Sequence, residues 1–109
     1  MDERRAQELL TAERARLEGA LADLDRGERD DDAAAGDPGG GAPDLLEAEI
    51  EEGLAGRLSE ELQAVERAER RLAEGTYGLS VESGQPIPDA RLEAVPWAER
   101  TAEEQARYD

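Results

Sequence analysis

The sequence predicts a mainly α protein: an antiparallel coiled-coil helical hairpin, followed by a small C-terminal module that ends in a short helix. Three observations predict it. Leu10, Leu17 and Leu24 recur every seven residues near the N-terminus. A second apolar stripe runs from Leu46 to Leu72 in helical steps. Between the two lies a stretch of glycine, proline and acid that disfavours helix.

The first helix is expected over residues 2–26. Ala6, Ala20 and Leu21 share the face of the three leucines, and Arg and Glu fill the rest. That is the narrow seam of a coiled coil. Gly19 weakens it by about 1 kcal/mol relative to alanine. The segment "GERDDDAAAGDPGGGAPD" (27–44) holds five glycines, two prolines and a run of acids. It reads as an acidic, glycine-rich loop over 27–43, with Asp44 as the N-cap of the next helix. The second helix is expected over 44–74, with Leu46, Ile50, Leu54, Leu58, Leu62, Val65 and Leu72 on one face. Gly75 follows as its C-cap. Residues 1–75 thus form the hairpin, with both helices sharing a seam and the acidic loop at the tip.

Residues 76–109 change character. Tyr77 and Leu79 suggest a short strand, Ser83-Gly84 a turn and Pro86-Ile87-Pro88 an extended segment. Asp89 is positioned to cap a helical turn carrying Leu92, and 101–108 reads as the last helix. Tyr77, Leu79, Ile87, Leu92, Val95 and Trp97 supply a small core. Ser80-Val81-Glu82-Ser83-Gly84 has the outline of a metal-binding knuckle, two like residues two apart and then a glycine.

Composition narrows the function. The chain has 29 acidic residues and 13 basic ones, for a net charge of −16, and every basic residue is arginine. Such a surface repels phosphates and favours a basic partner. Without cysteine there are no disulfides, and no apolar run approaches the ~18 residues that span a bilayer. The opening "MDERRAQELL" carries no apolar signal core, so a cytoplasmic location and no membrane partner are expected. No His, Cys or Lys is present to act as nucleophile or neutral-pH base, so no enzymatic activity is expected.

The C-terminal stretch resembles the signature of the DksA/TraR family of bacterial transcription regulators. The matching residues are Gly75-Thr76-Tyr77-Gly78, Gly84, Pro86-Ile87-Pro88, Ala90-Arg91-Leu92-Glu93-Ala94 and Pro96-Trp97. The resemblance is specific over about a third of the chain, and the hairpin is compatible with it. It implies a zinc-finger frame over 76–109. Where the family carries four zinc cysteines, this chain has Ser80, Ser83, Thr101 and Glu104, with the seventeen-residue spacing between the pairs kept. Serine hydroxyls stay protonated at neutral pH and are poor zinc ligands. The frame is therefore expected to be zinc-less, without a cofactor. The hydroxyls are expected to hydrogen-bond turn amides instead.

The resemblance also implies a partner. Family members of this type bind RNA polymerase through its secondary channel, with acidic residues at the coiled-coil tip approaching the catalytic region. Here Glu28-Arg29-Asp30-Asp31-Asp32-Ala33 offers acid-x-x-Asp-x-Ala spacing, so Glu28, Asp30, Asp31, Asp32 and Ala33 are the expected polymerase-facing tip. A monomer without sequence-specific DNA binding is expected. The alternative is a non-catalytic acidic hairpin that binds another basic protein and has lost polymerase regulation.

Overall fold

Helix α1 spans Glu3–Ala34 and helix α2 spans Leu45–Glu74 in a computed structural model, which describes residues 1–34 and 45–109. The leucine spacing explains the pairing. Ala6, Leu10 and Leu17 are almost wholly buried, with Leu58, Ala64, Val65 and Ala68 of α2 also in the core. Ala20, Leu21, Leu24, Leu62 and Leu72 pack around Leu10, Leu17, Leu58, Val65 and Ala68. Burying a leucine or valine side chain contributes about 1.5–3 kcal/mol. A narrow seam of this kind holds two long helices together.

Ion pairs set the antiparallel register. Arg14 donates to Glu69 at 2.6 and 3.0 Å and lies 3.7 Å from Glu66. Arg16 lies 3.7 Å from Glu61. These pairs are partly exposed and contribute little stability each, but they reject a slipped register.

The seam is shorter than the apolar stripe. Leu46, Ile50 and Leu54 are 61%, 62% and 39% exposed, against the expectation that they join the core. The antiparallel register carries Ile50 level with the acidic run of α1. That run supplies no apolar residue between Leu24 and Ala33.

The first helix is also longer than expected. Residues 27–34, assigned to the loop by sequence, continue α1 to Ala34. Arg29, Glu28, Ala33 and Ala34 favour helix there, against Gly27 and the three aspartates. The remaining loop, 35–43, and the expected cap Asp44 lie outside the described residues.

Helix α2 stops where glycine permits it. Gly75 has φ +82°, and the amides of Gly75 and Thr76 donate to the carbonyls of Leu72 (3.3 Å) and Arg71 (2.8 Å). This paired closure is a Schellman motif, which a left-handed residue makes possible. The expected strand at Tyr77–Leu79 reduces to a single antiparallel bridge, Leu79 with Pro86. The prolines on the far side, Pro86 and Pro88, have no N–H to extend a ladder.

Helix α3 covers Asp89–Ala94 and α4 covers Ala102–Tyr108. Asp89 is the first residue of α3 rather than its cap. Pro88 holds the cap position, with no side-chain capping bond. Ile87, Leu92 and Ala98 form the small core, with Tyr77 and Val95 packed against it. Tyr77 and Trp97 also pack against the hairpin core, joining the two. Leu79, expected in this core, is 40% exposed.

Candidate functional site

Two places carry the expected site residues. One is the far end of the hairpin. Glu28, Asp30, Asp31, Asp32 and Ala33 all fall in the closing turns of α1, and their side chains lie outside the description. The helix puts these acids at the end of the molecule opposite the C-terminal module.

The other is the knuckle frame, and its four residues come together. Gly84 takes φ +73° and its amide donates to the Ser80 carbonyl at 3.0 Å, closing a tight turn over 80–84. Inside that turn the Ser80 hydroxyl oxygen accepts from the amides of Glu82 (3.1 Å) and Ser83 (3.3 Å). The Ser83 oxygen accepts from the Gln85 amide at 3.3 Å. These are the turn bonds expected of hydroxyls in place of thiolates. A backbone bond from the Val81 amide to the Glu99 carbonyl, 2.8 Å, fastens the turn to the segment before α4.

The second pair is a helix start. Thr101 is the N-cap of α4, and its hydroxyl accepts from the Glu104 amide at 3.3 Å. Glu104, three residues on, accepts from the Thr101 amide through Oε1 at 2.9 Å. This reciprocal capping box satisfies two amides that the first turn leaves open. The Glu104 side chain is buried, 6% exposed, next to a Ser80 that is 5% exposed. Its pKa falls to about 2, chiefly because the Thr101 amide donates to the charged form. The Ser83 and Ser80 hydroxyls add to the shift.

This donor set does not suit zinc. The hydroxyl lone pairs of Ser80, Ser83 and Thr101 already serve turn and cap amides, and the lone carboxylate is tied to Thr101. Among the described residues no group of three or more His, Cys, Asp or Glu side chains is arranged to hold a metal ion. The sequence pointed to Ser80, Ser83 and Thr101 as turn residues. It did not reveal Glu104 as their shared centre, although the Thr-x-x-Glu spacing of a capping box was there to be read.

The module is fastened to the hairpin on two sides. From α2, Arg67 donates to both Glu99 oxygens at 2.8 and 3.2 Å, and Arg71 approaches the same carboxylate at 3.4 Å. Arg67 donation holds the Glu99 pKa below the usual carboxylate range. From α1, Arg5 donates to both oxygens of Glu93 at 2.7 and 2.9 Å. Between them the Tyr77 hydroxyl donates to the Pro96 carbonyl at 2.9 Å.

Fold and site together define a two-helix hairpin carrying a four-position finger frame that has no cysteine. Residues 75–109 match the prokaryotic dksA/traR C4-type zinc finger. General stress protein 16O of Bacillus subtilis (strain 168) is 51% identical over 45 residues, covering 41% of this chain and 28% of that protein. The RNA polymerase-binding transcription factor DksA of Caulobacter vibrioides is 42% identical over 48 residues, covering 44% of this chain and 34% of that protein. These matches span about a third of the curated relatives' length. The likeness in fold is wider: transcription factor DksA2 from Pseudomonas aeruginosa superposes with a TM-score of 0.76 at 26% identity. That match covers 97% of this chain and 81% of the other. The chain thus resembles DksA/TraR proteins in sequence over its finger region and in fold over nearly its whole length.

Proposed function

We propose that this chain is a transcription regulator that binds RNA polymerase, entering its secondary channel with the acidic far end of the hairpin. The observation that carries the reading is the likeness to DksA2 over nearly the whole chain, hairpin included. The relative named as RNA polymerase-binding adds to it. Charge agrees: at −16 the chain suits a basic channel rather than DNA, and opposite charge would steer the encounter. On this reading it acts in the cytoplasm as a monomer, without catalysis and without zinc.

The test is a pull-down with purified core polymerase, followed by in vitro transcription. Wild type is expected to bind at micromolar concentration and to be displaced by another secondary-channel binder. Asp30→Asn, Asp31→Asn and Asp32→Asn together are expected to abolish the transcriptional effect while binding persists. Polymerase that ignores the wild type would sink the proposal.

The exposed Ile50 and Leu54 favour a second reading, a hairpin that binds another basic protein through its helix faces. In that case neutralising the three aspartates leaves activity intact, and Ile50→Ser removes it.

A further inference from the structure

Glu104 and Ser80 are the buried polar side chains among the described residues, and Glu104 is the one that carries charge. A buried carboxylate normally sits against an arginine or lysine. This one does not: among the described residues the Thr101 amide donates to it at 2.9 Å, and the neutral hydroxyls of Ser83, Ser80 and Thr101 lie near enough to lower its pKa. Those partners come from both halves of the finger frame, the turn at 80–84 and the start of α4. They occupy the positions at which the family's frame carries cysteines.

We propose that Glu104 is the anionic keystone of this module, a carboxylate ringed by neutral donors that joins the two knuckle segments where the cysteine-bearing frame uses a cation ringed by thiolates. The polarity of the site is inverted. In the metal frame the ring gives electron pairs to a positive centre. Here the ring turns its N–H and O–H groups toward a negative centre, and its lone pairs outward to the amides of Glu82, Ser83, Gln85 and Glu104. Each hydroxyl oxygen serves an amide and keeps its O–H for the carboxylate, so the ring needs no metal. The substitutions at the four positions act as one set. Three hydroxyls without the carboxylate would lack a common acceptor, and the carboxylate without them would be buried with too few donors. This inference does not depend on polymerase binding.

The full-length chain tests it, with Trp97, the single tryptophan, reporting on the module and far-ultraviolet circular dichroism on the hairpin. Glu104→Ala is expected to lower the Trp97 melting transition by about 4 °C or more, as loss of a cap does in a chain of this size. Glu104→Gln keeps an oxygen for the Thr101 amide but no charge, and is expected to fall between that variant and wild type. If both melt with wild type, the keystone is wrong. Should the alanine variant fail to fold, a four-cysteine variant decides: Ser80→Cys, Ser83→Cys, Thr101→Cys and Glu104→Cys in one reduced chain, probed with zinc alone. One zinc per chain, with a Trp97 transition that a chelator then lowers, is the expected result. No zinc uptake would mean that the four positions do not converge on one centre, and would overturn the proposal.

Discussion

Glu99, in the turn before α4, receives both arms of the Arg67 guanidinium from α2 and lies 3.4 Å from Arg71. Arg71 Nη2 is buried without a hydrogen-bond partner. Desolvation lowers the Arg71 pKa, and the Glu99 charge counters it. Glu99→Ala therefore leaves a buried guanidinium uncompensated. The expected loss is about 1–2 kcal/mol, read as a lower urea midpoint by Trp97 fluorescence. Arg5→Ala, on the more exposed pair with Glu93, should lower the midpoint less. Equal losses from the two would contradict the burial argument.

Truncations along the two stripes should separate seam from surface. Leu17→Ala removes a wholly buried side chain and is expected to cost about 2–5 kcal/mol. Ile50→Ala, at 62% exposure, should stay within about 0.5 kcal/mol. Thermal melts by circular dichroism would read both. A large loss from Ile50→Ala would mean that the seam reaches further toward the tip.

Acid should loosen the C-terminal module. The Glu104 pKa is about 2 in the fold against an ordinary 4.5, and Glu99 is also depressed. For a depressed carboxylate, the stabilisation is complete above the unfolded pKa and fades as pH falls toward the folded one. Module stability is therefore expected to hold from pH 7 to about 5 and to decline between about pH 4.5 and 2. Glu104→Gln should flatten much of that decline. A variant with the same acid profile as wild type would show that other carboxylates set it.

Chelator should do nothing to the wild type. A structural zinc contributes folding free energy, so its removal lowers the melting temperature. Here Ser80, Ser83 and Thr101 hold amides, and the expected zinc content by elemental analysis is zero. One zinc per chain would reverse this reading.

Much of this was legible in the sequence. The heptad of Leu10, Leu17 and Leu24 reported the seam because burial there depends on local periodicity. Gly75 reported the end of α2 because left-handed backbone favours glycine. What stayed hidden depended on who stands opposite whom. Nothing in the stripe of α2 tells Leu58, buried, from Ile50, exposed; the difference lies in what α1 places across from each. The acidic run looked like a loop because its charges repel, yet the backbone of 27–34 remains helical. The Thr-x-x-Glu spacing marks Glu104 as half of a capping box, but its place beside Ser80 and Ser83, more than twenty residues upstream, is not a local signal.

The Schellman closure at Gly75 leaves α2 uninterrupted from Leu45 to Glu74. Its 30 residues make a stiff arm about 45 Å long. Glu99 grips that arm near one end, at Arg67 and Arg71, and Ile50 and Leu46 ride near the other. A tilt of about 5° at the grip would sweep Leu46 through about 3 Å. The small C-terminal module therefore works as a handle. On the proposed function, how firmly Glu99 holds Arg67 and Arg71 sets how accurately the distant acidic end is aimed.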